Sequence, residues 1–360
     1  MNESSPSATR LYEAKLVTQL GIALFTAAGA TPEAAKAVVT SLVTSSLMGH
    51  DSHGVLRIPE YLDLHAQGKV VPAATPTVER TGPSTAIVDC GGGFGAVGAA
   101  RAMQVAIDLA REQRTACVIT RRCNHIGRLG TWVELAAAEG LIGLASCNSP
   151  VYGHYVLPWG GRDARLATNP IAYAVPTGGD PIVSDFSTSV APEGKIRFYR
   201  NEGRAVPDGW ILDADGRPTN DASQFYGPPR GGILPLGGGA GHKGFALSLL
   251  VEILGSALAG IGCTDPKFIG NGNCFAVLDP SAFCPLDQFR GLMDETVAYM
   301  KSSRPAPGFS EVLVPGELEF RTLRQRRQTG IPIDPATLAG MRQHGDRFRV
   351  SVDEILQLTT

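Results

Sequence analysis

The strongest constraint on this chain is the uneven spacing of short apolar runs between about residues 75 and 290. Thr85–Asp89, Ala116–Thr120, Ile142–Ser146, Ile171–Val175 and Ile182–Phe186 have the length and composition of strands. Helical patterns at Ala99–Gln113, Thr131–Glu139 and Phe245–Ala259 lie among them. The helices do not separate the strands evenly, which speaks against a regular βαβ array. The mixture predicts an α/β or α+β domain, not an all-β one.

Both ends have a different texture. Leu11 to Ala28 has apolar positions at three- and four-residue spacing. Thr31-Pro32-Glu33-Ala34 reads as an N-cap with proline at the first helical position, opening a helix to about Met48. A third helix is expected from Ile58-Pro59 to about Gly68. Helix signals return at Asp287–Ser302, Glu317–Gln328 and Ala336–His344, around a Pro/Gly-rich loop from Arg304 to Pro315. The expected division is a helical domain from residues 1–75 and 290–360, with an α/β domain over 76–289 that binds cofactor and substrate.

Charge and cysteine usage exclude several classes. The net charge is −2 and both signs are mixed along the chain, so the concentrated basic face of a nucleic-acid binder is not expected. The short basic stretch Arg321–Arg327 reads as a solvated helix face. Seven cysteines, an odd number with no Cys-x-x-Cys, point to reduced thiols in the cytoplasm, not to a disulfide frame or zinc ribbon. The polar first ten residues have no apolar signal-peptide core. Phe245–Gly262 is long enough to span a membrane, but Glu252 and its glycines favour a buried helix.

Two glycine-rich segments invite a phosphate reading. Gly93-Phe94-Gly95-Ala96-Val97-Gly98 fits Gly-x-Gly-x-x-Gly between a candidate strand and a candidate helix, and a later strand ends in Arg121-Arg122. The competing reading is a turn before a packed helix. Gly237 to Gly244, with His242 and Lys243, is not a phosphate loop in sequence order. It still runs into a helix whose N–H groups suit a pyrophosphate or carboxylate.

The chemistry-bearing cluster is Gly49-His50-Asp51-Ser52-His53-Gly54-Val55-Leu56-Arg57. An arginine fork suits a carboxylate, and a histidine suits proton transfer near neutrality. On a helix, His53 and Arg57 would share a face as i and i+4. The bland alternative is a polar helix start capped by Asp51 or Ser52. His50 and His53 have no matching third ligand, so no metal is expected. His125 in Asn124–Gly130, the segment Ala167-Thr168-Asn169-Pro170, and Ser184–Ser189 each follow or precede strand signals where ligands bind in α/β folds.

These motifs occur in a set order: residues 49–54, 124–130, 161–170, 185–189, 241–247 and Pro315-Gly316-Glu317. Together they resemble the type-2 malate/L-lactate dehydrogenase family over residues 10 to 335, most of all its broad 2-hydroxycarboxylate dehydrogenases. The resemblance implies a non-Rossmann cofactor domain with a mixed, largely antiparallel sheet, NAD or NADP as cofactor, and a homodimer with the active site near the interface. It implies reversible reduction of a small 2-keto acid; the alternative is NAD(P)H-dependent reduction of cyclic imine carboxylates.

The same resemblance makes His53 the proton donor/acceptor with Ser52 as relay, Arg57 the carboxylate clamp, and His125 a second candidate acid/base at the nicotinamide end. It assigns His125, Ile126, Gly127, Arg128, Leu129, Asp185, Phe186, Ser187, Lys243, Pro315, Gly316 and Glu317 to cofactor contacts. Ser149 and Thr168 join Arg57 and His53 at the substrate. Relatives do not keep the glycines of 93–98, which removes Arg121-Arg122 as a guide to NADP. The chain departs from the family pattern at Phe186-Ser187, Pro192–Lys195 and Phe245-Ala246, beside the cofactor contacts.

Overall fold

The computed structural model describes residues 9–150, 153–265 and 270–357. The chain begins with β1 (Arg10–Tyr12), α1 (Ala14–Ala27), α2 (Pro32–Leu47) and α3 (Arg57–Ala66). Thr31 caps α2 as expected, its Oγ1 accepting from the Ala34 N–H at 3.2 Å. Then come β2 (Thr77–Arg80), β3 (Thr85–Asp89), α4 (Gly95–Gln113), β4 (Thr115–Arg121), α5 (Gly130–Ala138), β5 (Ile142–Asn148), β6 (Ile171–Val175) and β7 (Ile182–Phe186). An insertion follows: α6 (Glu193–Asn201), β8 (Ile211–Leu212), β9 (Pro218–Thr219), α7 (Ala222–Tyr226) and β10 (Gly232–Ile233). The last elements are α8 (Gly241–Gly255), β11 (Gly272–Leu278), α9 (Leu286–Lys301), α10 (Glu317–Thr329), β12 (Ile331–Ile333), α11 (Pro335–Phe348) and α12 (Val352–Ile355).

Seven strands form one sheet in the order β2-β3-β4-β11-β5-β6-β7. Only β3 and β4 run parallel, joined through α4; the other five pairings are antiparallel. This is the mixed, largely antiparallel sheet implied by the resemblance. Its central strand, β11, is absent from the sequence expectation. Gly-Asn-Cys at its start lacks apolar alternation, and the strand is stabilised by a neighbour on each side.

Alternating residues of β11 show how the layers stack. Phe275 and Val277 join the main core with α4, whereas Cys274 packs with Ile119, Leu254 and Ala259 on the α8 side. The main core also runs from Val17, Leu20 and Phe25 of α1 through α2 to the sheet, with Phe25 edge-on to Phe94 at 5.1 Å. The two ends of the chain meet: β1 pairs antiparallel with β12, and α11 packs on α3. The insertion builds its own small core around Ile196, Ile211, Phe225 and Ile233.

α8 corrects one expectation. It is not buried all round. Gly241, Gly244, Ser248, Val251, Glu252 and Gly255 face inward, while Leu247, Leu249, Leu250 and Ile253 are exposed. The small side permits close approach: a Cβ at Gly255 would lie 2.7 Å from the Gly272 carbonyl oxygen. Buried Glu252 accepts from the side-chain amides of Asn148 and Asn169, both at 2.8 Å. The helical run Gly238–Ala259 is long and apolar enough to cross a membrane by length and composition, yet its inner face packs on β5 and β11.

Candidate active site

The segment after α2 turns at Gly49 (φ 85°), makes one 3₁₀ turn over Asp51–His53 and enters α3 at Arg57. His53 and Arg57 are therefore not neighbours on one helix, contrary to expectation. Nor do Asp51 and Ser52 cap α3, whose N-cap is Leu56 without a side-chain bond. Asp51 instead accepts both guanidinium arms of Arg326, at 2.6 and 3.1 Å. Ser52 Oγ lies 2.9 Å from His53 Nδ1. Arg57 is tied to the turn by its Nε, which donates to the Ser52 carbonyl at 2.7 Å. Gly54 is required here, because a Cβ would fall 2.0 Å from Ser46 Oγ, the acceptor of the Val55 N–H.

The second half of the cluster comes from the loop after β4. Ile126 N–H donates to Asn271 Oδ1 at 3.2 Å, and Trp132 Nε1 donates to the Ile126 carbonyl at 3.1 Å. Both bonds fix the loop so that the His125 ring stacks on His53, centroids 5.6 Å apart and 24° between planes. Tyr61 of α3 completes the group, its hydroxyl 2.7 Å from His125 Nδ1. The sequence reading missed Tyr61. Its signal was available, since it follows Arg57 by four on one helical face.

Burial lowers His53 to about 3, helped by the positive charges of Arg57, His50 and Arg128. Burial, Arg57 and His53 hold His125 well below the usual imidazole range. Burial pushes the Tyr61 phenol up, against the pull of Arg57. At neutral pH the cluster is two neutral imidazoles and a protonated phenol. Where Nδ1–H donates to its partner oxygen, Ser52 Oγ for His53 and the Tyr61 hydroxyl for His125, Nε2 is left free to accept a proton.

A continuous set of contacts runs from this pair to Lys243. Gly127 (φ 76°) faces the His53 carbonyl, and Gly130 N–H donates to Asp185 Oδ2 at 2.7 Å. Asp185 and half-exposed Phe186 end β7; Ser187 Oγ donates to the Ser189 carbonyl. Thr188 accepts from the Leu236 N–H at 2.9 Å, where the glycine-rich turn begins. Gly238 and Gly239 face open space, and exposed Lys243 stands in the first turn of α8, which has no side-chain cap. An open glycine turn and a lysine at a helix start fit the phosphates of a dinucleotide.

The remaining expected residues divide. Pro315 accepts from the Val183 N–H at 3.1 Å, Gly316 (φ 96°) packs on Val183, and Glu317 is held by Lys301 at 2.6 and 2.7 Å. Two residues on, Glu319 pairs with His50 at 3.5 Å, which brings this turn beside the histidine segment. Arg128 points inward, 3% exposed, onto Glu134 at 2.8 Å and the Met48 sulfur. Ile126 and Leu129 are also buried, so residues 126–129 offer mainly backbone. Thr168 accepts from the Thr188 N–H, and Ser149 accepts from His154 through its carbonyl. Both lie toward the Glu252 side, and among the described residues neither contacts the histidine pair.

The Gly-x-Gly-x-x-Gly segment does open a helix between parallel strands, but its seat is filled. A Cβ at Gly95 would meet the Asn124 carbonyl at 2.1 Å, and one at Gly98 the Cys90 sulfur at 2.3 Å. These glycines let α4 pack on the His125 loop. Arg122 pairs with Asp89, and Arg121 donates to the Ala259 carbonyl.

A mixed, non-Rossmann sheet with a half-buried histidine pair, a lysine-bearing glycine turn and an arginine beside the pair has the groups that an acid-base oxidoreductase needs. The particular family follows from likeness. The model of the malate/L-lactate dehydrogenase family matches residues 13–342. A malate dehydrogenase of Pyrococcus abyssi is 36% identical over 346 residues, 93% of this chain and 94% of that protein. A crystal structure of malate dehydrogenase from Entamoeba histolytica superposes with a TM-score of 0.90 at 26% identity, covering 96% of this chain and 99% of that one. The Δ1-piperideine-2-carboxylate reductase of Pseudomonas syringae pv. tomato gives 0.81 at 30% identity, over 93% and 100%. The chain belongs to the malate/L-lactate dehydrogenase family, and it is an oxidoreductase whose membership implies a nicotinamide cofactor.

Proposed function

We propose that this protein interconverts a small 2-hydroxy acid and its 2-keto acid. The observation that carries this reading is the stack of His53 on His125 beside Arg57. In alcohol oxidation, neutral His53 takes the hydroxyl proton at Nε2, held in place by Ser52 at Nδ1. Arg57 orients the substrate carboxylate. His125, fixed by Tyr61, faces the same space and is the second candidate for the proton. A bound nicotinamide supplies or accepts the hydride; Lys243, the glycine turn, and the 125–130, 185–187 and 315–317 segments would hold the dinucleotide. NAD and NADP both remain compatible with these residues.

Substrate binding tunes the acid/base. Burial and Arg57 depress His53 in the free protein. A carboxylate on Arg57 offsets that positive charge and raises His53, which aids its role as proton donor to a keto acid. NADH and NADPH oxidation against a panel of 2-keto acids tests the reading, and absence of turnover with all of them refutes it. His53→Ala should lower turnover. Arg57→Ala should mainly weaken keto-acid binding, by roughly 10- to 100-fold, because it removes a charge-assisted contact. The second reading, reduction of a cyclic imine carboxylate, has support from the Pseudomonas reductase fold and uses the same clamp. A cyclic imine acid in the same panel separates the two.

We further infer a homodimer and a cytoplasmic location. The exposed apolar side of α8 supports the first. Seven free thiols support the second, including Cys117 and Cys274 with sulfurs 3.6 Å apart and unbonded. A nucleic-acid role has no support from α10: Arg321, Arg324 and Arg326 pair with Glu311, Asp180 and Asp51.

A further inference from the structure

The guanidinium of Arg57 already holds a carboxylate. Its Nη1 lies 2.8 and 2.6 Å from the two oxygens of Glu60, one helical turn on, while Nε is spent on the Ser52 carbonyl. Among the described residues Nη2 has no protein partner. As a surface ion pair between neighbours on a helix, this contact adds little to stability. Its place matters more. Arg57 is a charge felt by both His53 and His125, and Glu60 is felt by Tyr61.

The other arginine felt by His53 is committed too, Arg128 to Glu134, and His50 lies 3.5 Å from Glu319. We propose that Glu60 sets substrate class, restricting the site to 2-keto acids with a single negative charge. One carboxylate can share Arg57 with Glu60 through Nη2. A second carboxylate, on the substrate side chain, is repelled by Glu60, and among the described residues neither arginine felt by His53 is left without a carboxylate to offset that repulsion. Two like charges about 7 Å apart near a protein surface change binding on the order of tenfold or more. This inference rests on reading Arg57 as the carboxylate clamp.

The test compares wild type with Glu60→Gln, which keeps the side-chain shape and removes the charge. Pyruvate and 2-oxobutyrate are assayed against oxaloacetate and 2-oxoglutarate, with NADH and with NADPH. Wild type should favour the monocarboxylates. Glu60→Gln should raise kcat/KM for the dicarboxylates about tenfold relative to the monocarboxylates, through KM. A merely structural role would move both classes equally. An unchanged ratio, or a wild type that already prefers the dicarboxylates, overturns the inference while leaving the dehydrogenase reading intact. No turnover with any keto acid overturns both.

Discussion

Tyr61 turns a pair of histidines into an ordered cluster, because its hydroxyl holds one ring nitrogen of His125 at 2.7 Å. Tyr61→Phe removes that partner and leaves a buried Nδ1 unsatisfied. The expected result is a roughly tenfold drop in kcat with KM near wild type, measured by steady-state kinetics. Wild-type turnover would show that His125 needs no such anchor. The same burial makes stability depend on pH. An unfolded histidine titrates near 6.5, while folded His53 titrates near 3. Between those values the unfolded chain binds a proton that the folded chain does not, so stability falls as pH falls from 6.5. His125 acts in the same direction. Urea midpoints at pH 7 and 4.5 should converge in His53→Asn relative to wild type; equal slopes in both proteins would contradict the assignment.

Among the elements, α8 shows where pattern reading reaches its limit. Its period is helical and its composition apolar, so a helix over 245–259 is legible. Which side is buried is not. The inward stripe is glycine, serine and glutamate with Val251, and its glycines are crowded by the Gly272 carbonyl of β11, the Leu236 backbone and the Trp159 ring, which leave no room for larger side chains. Glu252 is retained in that interface by two asparagine amides. Glu252→Ala would leave the Asn148 amide without its acceptor and should cost roughly 2 kcal/mol in thermal or urea unfolding. A variant of unchanged stability would mean that water replaces the carboxylate. β11 makes the complementary point: it has little strand signal of its own and lies at the centre of the sheet.

At the scale of the whole molecule, the apolar side of α8 should lie against a second copy. Replacing Leu250 and Ile253 together by Glu puts two charges on that face. Sedimentation velocity should show a dimer in the wild type and a monomer in the double variant; two identical profiles would place any interface elsewhere. Local patterns are enough to read most helices, five strands, the Thr31 cap and the order of motifs, because each depends on residues a few positions apart. The local cluster at 49–57 and the resemblance carried by that order make Ser52, His53, Arg57, His125 and Lys243 the candidate site residues. Only the tertiary structure turned His53 onto His125, brought Tyr61 of α3 onto the β4 loop and drew Arg128 inward to Glu134. Those contacts join residues that the chain separates, or that the α2–α3 turn reorients, and their geometry depends on how helix, loop and sheet pack together.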